Sequence, residues 1–367
     1  MELKVKFVTQ QLSMHHNPGN QYQDSKRNFK LISILIGILL LVAAYKIYDD
    51  VFSPNVSTKY QKGKTYITVS SDKDFLKFLS QLDRSYVLIN GNSFRRIAKL
   101  LSLHEKLKPG KYLIKEGMTN WDLLKMLIKG RQEPIDVVFK YAERKRDICR
   151  FFSSQLEVDS NQIYAMLNDS FTLAKLGFDT NTIISVFIPN TYNFYWNTNS
   201  VAVLDRMYTE YQKFWNAQRL TAAIQTRLTP VEVSILASIV QKESNKNDEM
   251  PVIAGVYLNR LHKGIPLQAD PTVIYAWDDK NIRRVTSLHT SFNSPYNTYL
   301  NAGLPPGPIC TPSIQAIDAV LNYSHHDYYY FCAREDFSGY HSFAETLEQH
   351  NQNARRYQRA LNSKGIR

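Results

Sequence analysis

Cysteine is scarce in this chain of 367 residues. The three present, Cys149, Cys310 and Cys332, form no C-x-x-C pair. That excludes a disulfide framework and a cysteine-ligated zinc site, and leaves at most one bridge. No stretch repeats at a period of roughly 20–50 residues, so an array of stacked repeats is excluded as well. Acidic residues are outnumbered: 33 Asp and Glu stand against 45 Lys and Arg, a formal net charge of +12. Such a balance points to an anionic partner, whether nucleic acid, a membrane surface or an acidic polymer, and does not choose among them. What is plentiful is apolar: 44% hydrophobic residues over this length suffice for two domains, each with its own core.

One uncharged run stands out, LISILIGILLLVAAY, Leu31 to Tyr45, bounded by Lys30 and Lys46. As a helix it spans roughly 22 Å, and the flanking lysines together with Phe29, Ile47 and Tyr48 extend it towards bilayer thickness. The run of about 30 residues before it, and the lack of a small-x-small cleavage site, argue for a retained anchor rather than a cleaved signal peptide. Lys26, Arg27 and Lys30 precede it and Asp49 and Asp50 follow. The positive-inside rule therefore leaves residues 1–30 as a disordered cytoplasmic tail, 31–48 as a single-pass transmembrane helix, and the rest outside. That placement disfavours nucleic acid as a partner.

Beyond the anchor, TYITVSS and SYVLIN read as strands, and DFLKFLSQL and SFRRIAKLLSL as helices. In LKPGKYLIKEGMTNWDLLKMLIKG a Pro-Gly turn, a short strand, a helix capped by Thr119 and a stop at Gly130 follow one another. KYAERKRDICRFF reads as a basic helix, and VFIPNTYNFYWNT as an aromatic-rich loop after a short strand. Thr229, Pro230 and Glu232 mark a helix start with a capping box, and Val233, Leu236, Ile239 and Val240 give it an apolar stripe. MPVIAGVYLNRLHKG is a second amphipathic helix closed by Gly264. Asp270 with Pro271, and Thr311 with Pro312, read as further helix starts. DYYYFCA is a strand, and Ser342 to Glu345 a capping box that opens the last helix.

At about 100° per residue, Glu243 falls between Ile239 and Val240, one turn beyond them and in line with Leu236, while Gln241 points almost the opposite way. Burial and the negative end of the helix dipole would both raise the pKa of this carboxyl and keep it protonated near neutrality. Such a group suits general acid chemistry, protonation of a glycosidic oxygen included. A helix end already turning into water would leave the same glutamate merely exposed. The segments YNTY, LQADPT and IPNTYNFYWN add the aromatic faces, amides and hydroxyls that sugars require, although each alone is also compatible with ordinary loop packing.

The blocks ILASIVQKES, IAGVYLNRLHKG, LQADPTVIYAW, SPYNTYLNAGLPPGPIC and GYHSFAETLEQHN stand in that order. Together they resemble the YceG-like family, the endolytic murein transglycosylases, over most of the chain after the anchor. LKPGKYLIKEGMTNWDLLKMLIKG resembles the LysM-like subdomain that precedes the catalytic part in that family. The resemblance implies an α+β fold, with a single N-terminal transmembrane helix, a small LysM-like domain over 49–140 and a larger, mainly helical catalytic domain over 141–367. It further implies cleavage of peptidoglycan strands between N-acetylmuramic acid and N-acetylglucosamine, leaving a 1,6-anhydro end, in a bacterial cytoplasmic membrane and alongside penicillin-binding synthases.

The family block commonly reads E-K-E. Here it is Gln241, Lys242, Glu243, so the resemblance gives the catalytic role to Glu243 and no proton-transfer role to Gln241. One carboxyl suffices because the substrate's own C6 hydroxyl is the nucleophile, already tethered to the ring it attacks. No metal or organic cofactor is implied. Gln268, Tyr296, Asn297 and Thr298 are expected to contact sugar rings or acetamido groups, with Asn190 and Tyr192 lining the same groove. Asp270 matches a family block and reads equally as a helix cap. His341 reads as a satisfied core histidine. Two other readings stand beside this one: a lysozyme-type hydrolase, which needs a second acid such as Asp270 near Glu243, and a non-catalytic peptidoglycan-binding scaffold.

Overall fold

A computed structural model describes residues 18–59, 63–279, 282 and 284–365. The chain divides into two compact units between Gln132 and Glu133, ahead of the boundary at 140 expected from the sequence. The strand that starts at Ile135 pairs within the second unit and takes those residues with it.

The first unit contains α1 (Pro18–Phe52), β1 (Thr65–Val69), α2 (Phe75–Arg84), α3 (Gly91–Leu100), α4 (Leu103–Lys106), β2 (Gly110–Ile114) and α5 (Asn120–Lys129). Residues 1–17 of the expected tail lie outside the described residues, and 18–30 are helical. The stretch Arg27–Phe52 is long and apolar enough to cross a membrane by length and composition. β1 and β2 pair antiparallel, Thr65 opposite Ile114 and Val69 opposite Gly110. In β2, Gly110, Tyr112 and Ile114 face inward, the period of two that a one-sided sheet requires. Asp74, Asn90 and Thr119 cap α2, α3 and α5, and Gly130 ends α5 at φ 68°, a left-handed conformation that glycine adopts without strain. Phe78, Phe94, Ile97, Tyr112, Leu123 and Leu127 pack between sheet and helices. SYVLIN forms no strand; Leu88 makes an isolated bridge to Val56.

The second unit contains β3 (Ile135–Phe139), α6 (Lys145–Gln155), α7 (Ser160–Met166), α8 (Ser170–Lys175), β4 (Asn190–Phe194), α9 (Ser200–Phe214), α10 (Ala217–Thr226), α11 (Pro230–Glu243), α12 (Met250–His262), α13 (Asp270–Trp277), α14 (Ser287–Thr290), α15 (Ile314–Leu321), β5 (Tyr330–Ala333), β6 (His341–Ala344) and α16 (Leu347–Ser363). It is mostly helical, with two antiparallel strand pairs, β3–β4 and β5–β6.

α11 runs through the middle of the unit, against α10, α12, α13 and α15. Its start is as the sequence predicts: Thr229 and Glu232 close a capping box, with Pro230 in the first turn. Its burial is more than a stripe. Every residue from Val233 to Val240 is buried, Ser234 and Ser238 included, because both serine hydroxyls donate to carbonyls of their own helix. A helix covered all round is held rigidly, and α11 ends at Glu243.

Four local expectations give way to tertiary pairing. NTYNF is strand β4 rather than loop, because β3 supplies a partner. Ala269, not Asp270, is the cap of α13, and Ser313, not Thr311, caps α15. Ser342 lies in β6, opposite Cys332, and the last helix opens two residues after β6 with a capping box from Thr346 to Gln349.

Candidate active site

Glu243 ends α11, and Ser244 caps the helix in an extended conformation. The carboxyl leans towards α12, where Tyr257 Oη donates to Glu243 Oε1 at 2.6 Å. Tyr257 is 2% exposed, with Phe331 of β5 set edge-on against its ring at 5.7 Å. Protein surrounds Glu243 except where it meets a cavity of about 350 Å³ lined also by Arg260, Gln268, Asp270, Tyr299 and Tyr330. The pKa of Glu243 is raised to about 7. Loss of hydration is the main cause; the hydrogen bond from Tyr257 pulls it down, and the charge of Asp270 pushes it up.

The chain just past Glu243 is fixed by a second, buried acid. Glu249 accepts from Ser244 Oγ (3.1 Å), from the backbone N–H of His341 (2.7 Å) and lies 2.8 Å from His341 Nδ1. His341, in β6, thereby ties the β5–β6 hairpin to the start of α12, and the hairpin brings Tyr330 and Phe331 to the cavity. Arg260 works on the other side. It donates to Pro266 O (2.9 Å), Tyr329 O (2.9 Å) and Gln268 Oε1 (2.6 Å), joining α12 to the loop before α13 and to the hairpin. His350 of α16 stacks on Tyr330 at 5.5 Å. Burial, and then the charge of Arg260, lower its pKa and keep it neutral.

The residues expected to meet sugar separate into two groups. Gln268 and Asp270 line the cavity with Glu243. Gln268 sits at φ +52°, a left-handed conformation that non-glycine residues seldom adopt. Asn297 and Thr298 do not line the cavity; they are fully buried and hold the loops that do. Asn297 Nδ2 donates to Thr290 O and Phe292 O, and Thr298 Oγ1 accepts from the N–H of Ala269, with its carbonyl accepting from Gln268. The residue so delivered is Tyr299, whose hydroxyl donates to Asp270 Oδ1 at 2.6 Å. Tyr296 lies away from Glu243, its ring 4.9 Å from that of Tyr275. Tyr192 is a core residue bonded to Ile188 O, and Asn190 is an exposed residue of β4. Gln241 accepts from the N–H of Ser313 at 2.5 Å, and Lys242 pairs with Glu143 at 3.0 Å.

Sequence reasoning missed Tyr257, Arg260, Tyr299, Tyr330, Phe331 and His350. Tyr299 was visible as the second tyrosine of YNTY; the others are set by packing between segments far apart in sequence. The three thiols are free. Among the described residues no group of three or more His, Cys, Asp or Glu side chains is placed to hold a metal ion.

The fold and the cleft define a mostly helical unit with an acid of raised pKa at the end of a buried helix. Residues 67–356 match the model of the YceG-like family, and the chain belongs to that family. It is similar to the endolytic murein transglycosylase of Streptococcus pneumoniae, 27% identical over 363 residues that cover 88% of this chain and 64% of the relative. It is also similar to the enzyme of that name from Bacillus subtilis, 40% identical over 129 residues, 35% of each chain. The chain thus spans less than two thirds of the length of its pneumococcal relative. A solved YceG-like protein of Listeria monocytogenes shares the fold, with a TM-score of 0.53 at 24% identity, covering 79% of this chain and 98% of that one.

Proposed function

We propose that this chain is a membrane-anchored lytic transglycosylase that cuts peptidoglycan strands internally. The observation that carries the reading is Glu243, an acid raised to about 7 by burial at the wall of a polar, tyrosine-rimmed cleft. Its name-bearing relatives favour the same substrate. In the forward step the bond from the muramic C1 to the oxygen of the next sugar breaks, and the proton of Glu243 goes to that oxygen. The C6 hydroxyl of the same muramic residue bonds to C1, and its proton passes to the Glu243 carboxylate, which restores the acid. No water is consumed. Tyr257 holds the carboxyl in place through both steps, while Gln268 and Tyr299 are suited to sugar hydroxyls and acetamido groups. The acid form waits for substrate and needs no second carboxylate.

Around this core stand the finer proposals. α1 crosses the cytoplasmic membrane with its N-terminus inside, by the charge asymmetry around it. The first unit serves as a LysM-like module, a reading supported by helices α2, α3 and the single-turn α4 set between two antiparallel strands. Trimming or ending new strands beside penicillin-binding synthases fits an anchored enzyme. The experiment is mass analysis of fragments released by the full chain and by Glu243→Gln: the anhydro product is lighter than the hydrolysis product by one water, and cleavage unchanged in the variant would sink the assignment. A second reading has its own observation, since Asp270 brings another acid to the same cavity and could activate water. A full-mass reducing end, instead of an anhydro end, would establish that hydrolase.

A further inference from the structure

A line of recesses leads away from Glu243 along α13. Asp270, at the start of this helix, lines the cavity holding Glu243, while Tyr275 and Asp278, at its end, line another of about 260 Å³. Eight helical steps separate Asp270 from Asp278, about 12 Å. Beside α13 lies a further recess of about 460 Å³, walled by Pro271 and Ile274 of this helix and by side chains of both charges, Arg144 and Lys242 with Glu143, Asp278 and Asp279.

The far end is basic and aromatic. Arg144, Lys145 and Arg146 line it against a single acid, Asp278. Arg144 pairs with Asp278 at 2.8 Å and lies over the ring of Tyr275 at 3.6 Å, yet its Nε is buried without a hydrogen-bond partner. Arg146 is exposed, lies over Tyr164 at 4.4 Å, and forms no ion pair among the described residues. Arg146 and Tyr164 also line the next recess, about 230 Å³, with Asn161. A guanidinium offers a planar fork of donors that matches a carboxylate, and tyrosine faces suit the aliphatic parts between carboxylates. The recesses follow one another along α13, the helix whose first residue lines the cavity of Glu243, which favours an occupant belonging to the same strand.

Resting on the glycan-cleaving reading, we propose that this end of the cleft receives the acidic peptide borne by a muramic residue of the strand, with Arg146 taking a free carboxylate of that peptide. An anionic phosphate polymer of the wall would need neither the tyrosine faces nor a place on the helix that bears Asp270.

The test is calorimetry on the detergent-solubilised full chain with three soluble glycan fragments: peptide-bearing with free carboxylates, the same with those carboxylates amidated, and peptide-stripped. The free-carboxylate fragment is expected to bind roughly tenfold more tightly than either other, and Arg146→Ala to erase that preference. Because Arg146 is exposed, its replacement leaves the fold intact, which the far-ultraviolet spectrum would verify. Equal binding of all three fragments, or a preference that survives in Arg146→Ala, overturns the proposal. So does displacement of the free-carboxylate fragment by a glycerol-phosphate polymer at equal concentration. Release of cut ends from peptide-bearing strands by the wild-type chain is scored in parallel: its absence refutes the cleavage reading, while the binding preference alone decides the recess.

Discussion

Glu243 couples the stability of the fold to pH. Its ordinary carboxyl value is 4.5 and the fold raises it to about 7. Below pH 4.5 folded and unfolded chains both hold the proton; between 4.5 and 7 the unfolded chain releases it first, so stability falls as pH rises through that window and levels off above it. The full drop amounts to roughly 3 kcal/mol. Glu243→Gln removes the ionisation, so the variant is expected to exceed the wild type by roughly 1–3 kcal/mol at pH 8 and to match it near pH 4, read from denaturant midpoints at the two values. The same variant is expected to lose roughly 10²–10⁴-fold in cleavage. For the wild type, kcat/KM on glycan should decline above pH 7 as the acid form is lost. Tyr257→Phe removes a hydrogen bond that favours the charged form, so the descending limb should move to higher pH; Asp270→Asn removes a repelling charge and should move it lower. Limbs that stay fixed in both variants would mean that another group titrates. The position of Glu243 was legible because helical periodicity alone puts it beside Ile239 and Val240. Tyr257 was not, since its helix begins after a separate turn and its facing depends on how α12 packs.

Elements bear out sequence logic where the signal is local and depart from it where a partner decides. The cap at Thr119 and the capping box at Thr229 were readable because each is complete within four residues. The box read at Ser342 had the same grammar, but Ser342 pairs with Cys332 in the hairpin, and ladder bonds outweigh a cap that would leave β5 unpaired. Gly255, within α12, shows a similar contest. A glycine inside a helix costs about 1 kcal/mol relative to alanine, yet an added Cβ at this position would lie 2.4 Å from the carbonyl oxygen of Ser324. That carbonyl belongs to a segment stitched to α12 by Ser324 N to Pro251 O and by Asn259 to His326 O and Tyr328 O, and it leads directly into β5. Backbone held this way cannot yield cheaply. Gly255→Ala is therefore expected to destabilise by about 1–3 kcal/mol despite its better helix propensity, and to weaken cleavage by displacing Tyr330 and Phe331. A thermal melt showing equal or higher stability would mean that the segment moves freely.

For the whole molecule, the decisive property is that the apolar helix does not end where the first unit begins. The side-chain amide of Asn120 in α5 donates to Asp50 O at 2.7 Å, and Arg96 of α3 grips the Asp50 carboxylate through Nε and Nη2 at 2.8 and 2.7 Å. Just beyond, Asn55 is buried and donates to Asn120 Oδ1, Ser93 Oγ and Asn90 O, while its own side-chain oxygen accepts from the N–H of Asn90. The last turn of α1 is thus part of the unit's polar core, and a carrier of pure membrane anchorage would not need it. On the proposed anchoring by α1, chains beginning at residue 49 and at residue 53 should both be released from the membrane, yet differ in folding. The shorter one takes Asp50 O from the Asn120 amide, which keeps only Ser93 Oγ, and takes the Asp50 carboxylate from Arg96; losing these bonds costs about 1–2 kcal/mol. Amide hydrogen exchange of α3 and α5 is expected to speed up by roughly tenfold or more in that chain, because a local stability loss of this size raises the open population in proportion. Exchange of α11 should stay the same, since the core that buries it shares no residue with that of the first unit. Equal protection of α3 and α5 in the two chains would show that α1 is a tether alone, and that the contacts of Asp50 add nothing to the unit it enters.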